Sequence, residues 1–189
     1  MAEGRGGLRM TRYIAFLRAI NVGGRFVKME RLRDLFTALG FTNVRSVIQS
    51  GNIVFDAPTD LLRLDIGRTI EERLAAELGY DVAAMVRTLP EVEGAMALDP
   101  FRDVDVTADT RLCVLFISRP LPAEAVLPLK SENGEIEFLA ATQGEVFAVV
   151  QQSAGRPGNP TAFLEKKYRL KATARFYSAV AKIIESARL

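Results

Sequence analysis

The chain has 189 residues, 49% of them apolar and 25% charged, with a net charge of +2; it is one large domain or two small ones with real cores, not a disordered chain. One cysteine and no histidine exclude disulfides, Cys/His zinc sites, Ser-His-Asp triads and histidine acid–base work. No apolar run reaches the ~18 residues of a membrane span, and the opening MAEGRGGLRM has no apolar h-region, so the chain reads as cytoplasmic, with no membrane partner.

Residues 1–10 read as a flexible Gly/Arg tail. Residues 12–18, RYIAFLR, read as a strand rich in β-formers. After a Gly-Gly turn, Met29, Leu32, Leu35, Phe36 and Leu39 recur at helical spacing, and Gly40 suits the position just past the helix end. Residues 44–56 form two β-rich arms around Ser50-Gly51-Asn52, which suits a tight hairpin. Thr59 or Asp60 can cap a helix carrying Leu62, Ile66, Ile70, Leu74 and Leu78, and residues 81–87 read as a fourth strand. The order β-α-β-β-α-β is the split-βαβ, ferredoxin-like arrangement, with both helices on one face of the sheet.

A capping box, Thr88 with Glu91, opens a short helix ending near Asp99-Pro100. The domain boundary falls here, giving domains over 11–88 and 89–189. In the second, DTRLCVLFIS reads as a strand, PAEAVLPLK as a brief helix stopped by Pro128, and residues 135–152 as a hairpin turning at Gln143-Gly144. Asn159 caps a helix with Pro160 at its first position. Thr173 is expected to cap a last helix with Phe176, Val180, Ile183 and Ile184 inward. The fold class is therefore α+β: two tandem ferredoxin-like α/β sandwich modules, the second modified and lacking a clear fourth strand.

Charge is unevenly spread. The balance is +6 over residues 1–55, −10 over 56–155 and +6 over 156–189. Two basic ends flanking an acidic middle can mark an anion- or nucleic-acid-binding face, or only solvated helix surface. Cys113 lies in the apolar strand RLCVLFI and reads as a core thiol. Asp99, Asp103, Asp105 and Asp109 lack the glycine and closing glutamate of a calcium loop, so no metal site is expected.

A ferredoxin-like strand order brings the loop after the first strand, RAINVGGR, to the same edge as the hairpin turn IQSGN. Arg18, Asn21, Gly23, Gly24, Lys28, Gln49, Ser50 and Asn52 then share one rim. A helix N-terminus with no capping side chain offers free N–H groups, glycines let an anion approach the backbone, and Arg18 can grip a phosphate or carboxylate. The stretch is neither a Walker A loop nor G-x-G-x-x-G. A second glycine-bearing turn, SAGRPGNP, leads into Lys166, Lys167, Arg169, Lys171 and Arg175. If the basic ends meet, they form a positive interdomain cleft. Stacking of RNA on the sheet has little support: Phe55 stands alone in its strand, and Tyr13 and Phe16, three apart, face opposite sides. Binding of a nucleic-acid backbone stays open.

FLRAINVGG, IQSGNIVF, and FLEKK followed by the ATAR stretch resemble the bacterial family called domain of unknown function 1697, over roughly residues 11–185. The family's first block usually reads LRGINVGG, where Ala19 stands here, and its last block carries Asn-Trp where Phe176 and Tyr177 stand. The resemblance implies tandem ferredoxin-like modules and no established activity. Its motif positions fall on Arg18, Asn21, Gly23, Gly24, Gln49, Ser50, Gly51, Asn52, Glu165, Lys166, Lys167 and Arg175.

Three functions are weighed. The leading one is binding of an anionic ligand (nucleotide, phosphorylated metabolite or nucleic-acid backbone) at the Gly/Asn/Arg edge and cleft, with Arg18, Asn21, Gly23, Gly24, Lys28, Gln49, Ser50, Asn52, Lys166, Lys167 and Arg175 as ligand-binding residues. The second is a homodimer formed through an open sheet face. The third is a transferase or hydrolase acting on a phosphorylated substrate, with Glu165 as base. No nucleophile–base pair is legible, which weighs against an enzyme, and no cofactor is implied.

Overall fold

A computed structural model describes residues 9–48, 51–153 and 156–189. The chain forms β1 (Met10–Leu17), α1 (Met29–Ala38), β2 (Thr42–Ser46), β3 (Asn52–Pro58), α2 (Arg63–Leu78), β4 (Ala84–Thr88) and α3 (Leu89–Ala97). There follow β5 (Thr110–Ile117), β6 (Leu129–Lys130), β7 (Ile136–Ala141), β8 (Glu145–Ser153), β9 (Arg156–Pro157), α4 (Pro160–Tyr168), β10 (Ala172–Phe176) and α5 (Tyr177–Arg188). The fold is mixed α+β, with a sheet ordered β2-β3-β1-β4 and a second ordered β10-β5-β8-β7-β6, while β9 pairs with β8. All strand pairs are antiparallel.

Alternation along β1 builds two cores from one strand. Tyr13, Ala15 and Leu17 face α1 and α2, where they meet Leu32, Leu35, Phe36, Ile66, Ile70 and Leu74. Ile14 and Phe16 point the other way, toward Val114, Phe116, Phe147 and Val149 of the second sheet and toward α3 and α5. The rings of Phe16 and Phe116 stack with centroids 3.5 Å apart. The far face of the second sheet is covered by Phe163 and Leu164 of α4 and by Leu170, just beyond it. Thus the inner face of the first sheet, the surface a homodimer would need open, is buried within the chain: Ile14, Phe16 and Val54 are fully enclosed.

Local signals explain the helix ends. Gly40 (φ 85) and Gly79 (φ 76) turn the chain out of α1 and α2 in the left-handed region. Thr88 and Glu91 form the expected capping box, and Asn159 accepts from the Ala162 amide with Pro160 beside it. Five expectations need correction. Met10 belongs to β1, and the Arg9 carbonyl accepts from the Thr59 amide, so the tail is shorter than ten residues. Leu62, with no side-chain cap, starts α2 in place of Thr59 or Asp60, and it is exposed. Residues 122–128 are turns ending in a cis Leu127–Pro128 bond rather than a helix; Pro122 and Pro128 leave too short a run to nucleate one. Thr173 lies inside a strand, and α5 starts only at Tyr177, leaving Phe176 exposed. That strand, β10, supplies the fourth strand missing from the sequence reading. The β-branched Thr173, backed by β5, outweighs its own capping tendency. Among the described residues, no helix is long and apolar enough to cross a membrane.

Candidate functional site

The loop after β1 and the β2–β3 turn do meet. The Leu17 amide donates to the Gly51 carbonyl at 2.8 Å, and the Val47 amide to the Asn52 carbonyl at 2.9 Å. Gly51, at φ 75, sits so close that a Cβ there would lie 2.5 Å from Ile20 Cγ2. Gln49 and Ser50 lie outside the described residues. Asn21 serves the loop itself: Oδ1 accepts from the Val27 amide at 2.6 Å and Nδ2 donates to the Val27 carbonyl at 3.2 Å. Gly23 and Gly24 have positive φ with open space beside them. Lys28 is the N-cap of α1, without a capping side-chain bond.

The two strongest rim cations are engaged within the protein. Arg18 grips Glu165 through two bonds of 2.6 and 2.7 Å, and Glu165 Oε1 also accepts from the Ala172 amide. Burial alone would raise the Glu165 carboxyl. The Arg18 and Ala172 hydrogen bonds and the charges of Arg18 and Lys171 outweigh it and hold the group below the usual carboxylate range. Arg175 runs from β10 to the ends of β1 and β3. Its Nε donates to Asn52 Oδ1 at 2.6 Å, Nη2 to the Leu17 carbonyl at 3.1 Å and Nη1 to Thr173 Oγ1 at 2.8 Å. Burial pushes this guanidinium down to about 10, so it is charged at neutral pH. Asn52 is buried and also donates to the Val47 carbonyl. Arg18 thus ties the end of β1 to α4, and Asn52 and Arg175 join the two sheets. Lys166 and Lys167 line a separate depression of about 670 Å³ with Phe163 and residues 129–133.

A larger cleft, about 1030 Å³, opens between the two halves beside this joint. Its walls are the start of α2, strand β4, α3, the end of β5, the β7–β8 turn and residues 169–171. The Arg18–Glu165 bridge adjoins it: the Arg18 amide donates to Ala83, next to cleft-lining Ala84, and Glu165 holds Ala172, next to cleft-lining Lys171. At the base, buried Arg87 is fully occupied, with Nε on Glu145 Oε1 at 2.7 Å and Nη2 on the Ile117 and Gly144 carbonyls at 2.8 and 2.7 Å. Glu145 also accepts from the Thr142 hydroxyl.

Five more cations line the cleft: Arg63, Arg68, Arg119, Arg169 and Lys171. Arg63 pairs with Glu91 and Arg68 with Asp65. Arg119 donates to the Tyr168 carbonyl at 2.7 Å. Among the described residues, no hydrogen bond or ion pair engages the exposed side chains of Arg169 and Lys171. Arg169 ends α4 at φ 51, a conformation that glycine adopts without strain and arginine does not. Sequence reasoning placed Arg169 and Lys171 on a basic surface but not at the site. Arg63, Arg68 and Arg119 lie in the acidic middle of the chain, and only the packing of the halves brings them here. An arginine where a helix C-terminus favours glycine was the one local signal available.

Known proteins give a consistent picture. Conserved bacterial protein SP0830 from Streptococcus pneumoniae has a similar structure, with a TM-score of 0.68 at 22% identity, covering 96% of this chain and 100% of that one. This likeness is one of fold. No curated protein matches the chain. The family described as "Protein of unknown function (DUF1697)" matches residues 10–147, and the chain belongs to that family.

Proposed function

We propose that this protein binds an anionic ligand in the cleft between its halves, and that each half is a ferredoxin-like module. The module reading is supported by shared connectivity. In the first sheet, sequential strands 1 to 4 lie in the order 2-3-1-4; in the second, β5, β7, β8 and β10 take the same order, with a loop and β6 in place of the first helix. The observation that carries the binding reading is the pair Arg169 and Lys171, exposed at the cleft beside Arg119, with no hydrogen bond or close ion pair on either side chain among the described residues; Lys171 acts on Glu165 through its charge alone. Cations converging on a concave surface attract anions and strengthen one another's effect on a bound charge. The rim residues Arg18, Asn52 and Arg175 support this site by fixing how the halves meet.

Thermal denaturation with inorganic tripolyphosphate tests the reading. A ligand at about 100 times its Kd adds about 2.7 kcal/mol, a rise of several degrees in a chain of this size. The rise should shrink in high salt, because exposed cations are screened. Replacing Lys171 with Ala and Arg169 with Gly should abolish it. Arg169→Gly alone should leave the fold as stable as wild type or slightly more so, since glycine relieves the positive φ. Absence of any tripolyphosphate-induced rise in the wild type would refute the proposal.

A further inference from the structure

The cleft is not uniformly polar, and its asymmetry speaks to the kind of anion it takes. One wall is formed by α2 and α3, whose charged lining residues are engaged within the protein: Arg63 with Glu91, Arg68 with Asp65, and Glu71 with the Ala84 amide. On α2, Leu64 and Gly67 line the cleft three residues apart; Gly94 of α3 and Leu98, the residue that caps its C-terminus, line it four apart, with Ala95 between them. Such spacings put each leucine–glycine pair on one helix face. Leu64 is 77% exposed and Leu98 55%, so the cleft holds two wet leucines. A Cβ on Gly94 would meet nothing within 4 Å, and one on Gly67 would make only ordinary contacts, 3.6 Å from the Ala84 carbonyl. Close packing therefore requires neither glycine, although glycine is disfavoured inside a helix. Gly94 is exposed and leaves the wall open beside Leu98, while Gly67 is buried against β4. The other wall, from the end of β5 and from residues 169–171, carries Arg119, Arg169 and Lys171.

A small, fully polar phosphate would leave the leucine wall in water. A ligand with a flat apolar body and a charged tail would cover one wall with each part. Accepting the cleft as an anion site, we infer that its ligand is a nucleoside diphosphate or triphosphate. The base lies against Leu64, Leu98 and Gly94, and the phosphates reach Arg119, Arg169 and Lys171. The volume of about 1030 Å³ accommodates a ligand of that size.

Calorimetric titration of the full chain with ADP, inorganic pyrophosphate and a short single-stranded oligonucleotide separates the outcomes. ADP should bind at least about tenfold more tightly than pyrophosphate, the same charge without the base. Gly94→Leu should weaken ADP about tenfold while leaving pyrophosphate within about twofold; Leu98→Ser, at an exposed position, should act in the same direction should Gly94→Leu fail to fold. Equal affinity for ADP and pyrophosphate would overturn the base slot and leave the anion site standing. Binding of neither would overturn both readings. Tighter binding of the oligonucleotide than of ADP would overturn the assignment in favour of nucleic acid.

Discussion

Gly144 and Gly51 show what single residues decide at the joint between the sheets. A Cβ on Gly144 would fall 2.5 Å from Arg87 Nε and 2.7 Å from Nη2. Gly144→Ala must therefore displace a buried guanidinium from Glu145 and from two carbonyls. Leaving buried charges unpaired costs about 3–5 kcal/mol, and denaturant unfolding should register a loss on that scale. A variant within about 0.5 kcal/mol of wild type, the usual range for a surface change, would show that Arg87 moves aside freely. Gly51→Ala faces both a 2.5 Å clash with Ile20 and a φ of 75, and it too should destabilise the fold. The two glycines differ in legibility. Gly51 was readable as a hairpin glycine. Gly144 was readable as a turn residue, but its real constraint is a side chain 57 positions away in sequence, which no local pattern encodes. Asn52 and Arg175 are hard to read for the same reason: a buried polar pair that joins two sheets looks, in sequence, like one that waits for a ligand.

Elements meet through charge as well as packing, and this gives the fold an acid limit. On β1, Arg12 grips Asp56 of β3 at 2.8 and 3.0 Å and donates to the Ala187 carbonyl in the last turn of α5. Asn43 of β2 donates to the same carboxylate at 2.7 Å. The Arg12 hydrogen bond is the main force holding the Asp56 carboxyl below its ordinary range; burial opposes it, and Asn43 adds to it. Glu165 is depressed as well. A carboxyl depressed in the folded state stabilises the fold fully above its unfolded pKa, about 4. That stabilisation is lost as pH falls from there through the folded value, because the unfolded chain takes up protons first. Stability should thus fall steeply below about pH 4, and Asp56→Asn should be less stable at neutral pH with a shallower acid limb. An Asp56→Asn curve parallel to wild type would remove the pair from this role. At this scale the sequence was readable wherever periodicity and caps agreed, as in α1, α3 and α4. It misled where a strand was specified by its neighbour: β10 is five residues long and carries Thr173, and its pairing with β5 decides what propensity leaves open.

The largest scale is the sheet-to-sheet core, and it sets how the molecule unfolds. Phe16 and Phe116 are fully buried and stacked face to face, with Phe147, Val54 and α5 around them. Neither half can keep this core without the other, because its residues come from both sheets. Burying an aromatic ring at such a place and then removing it costs about 3–5 kcal/mol. Phe16→Ala should therefore lower the melting temperature by roughly 6–20 °C, taking 2–4 °C for each kcal/mol in a chain of this size. Phe116→Ala should do likewise, and the double variant should lose less than the sum, since the two rings share one contact. A shared core also predicts one cooperative transition by calorimetry, with α1, α2 and α4 melting together although they cover opposite outer faces. The strand order of the first sheet could be read from element order alone. That the inner sheet faces close on each other could not, because Ile14 and Phe16 alternate along β1 as they would on an open or dimeric face. Two resolved calorimetric transitions, or a Phe16→Ala loss confined to one half in hydrogen exchange, would show two independent domains. The cleft between them would then be a variable gap, and its cations would have no fixed geometry with which to hold a ligand.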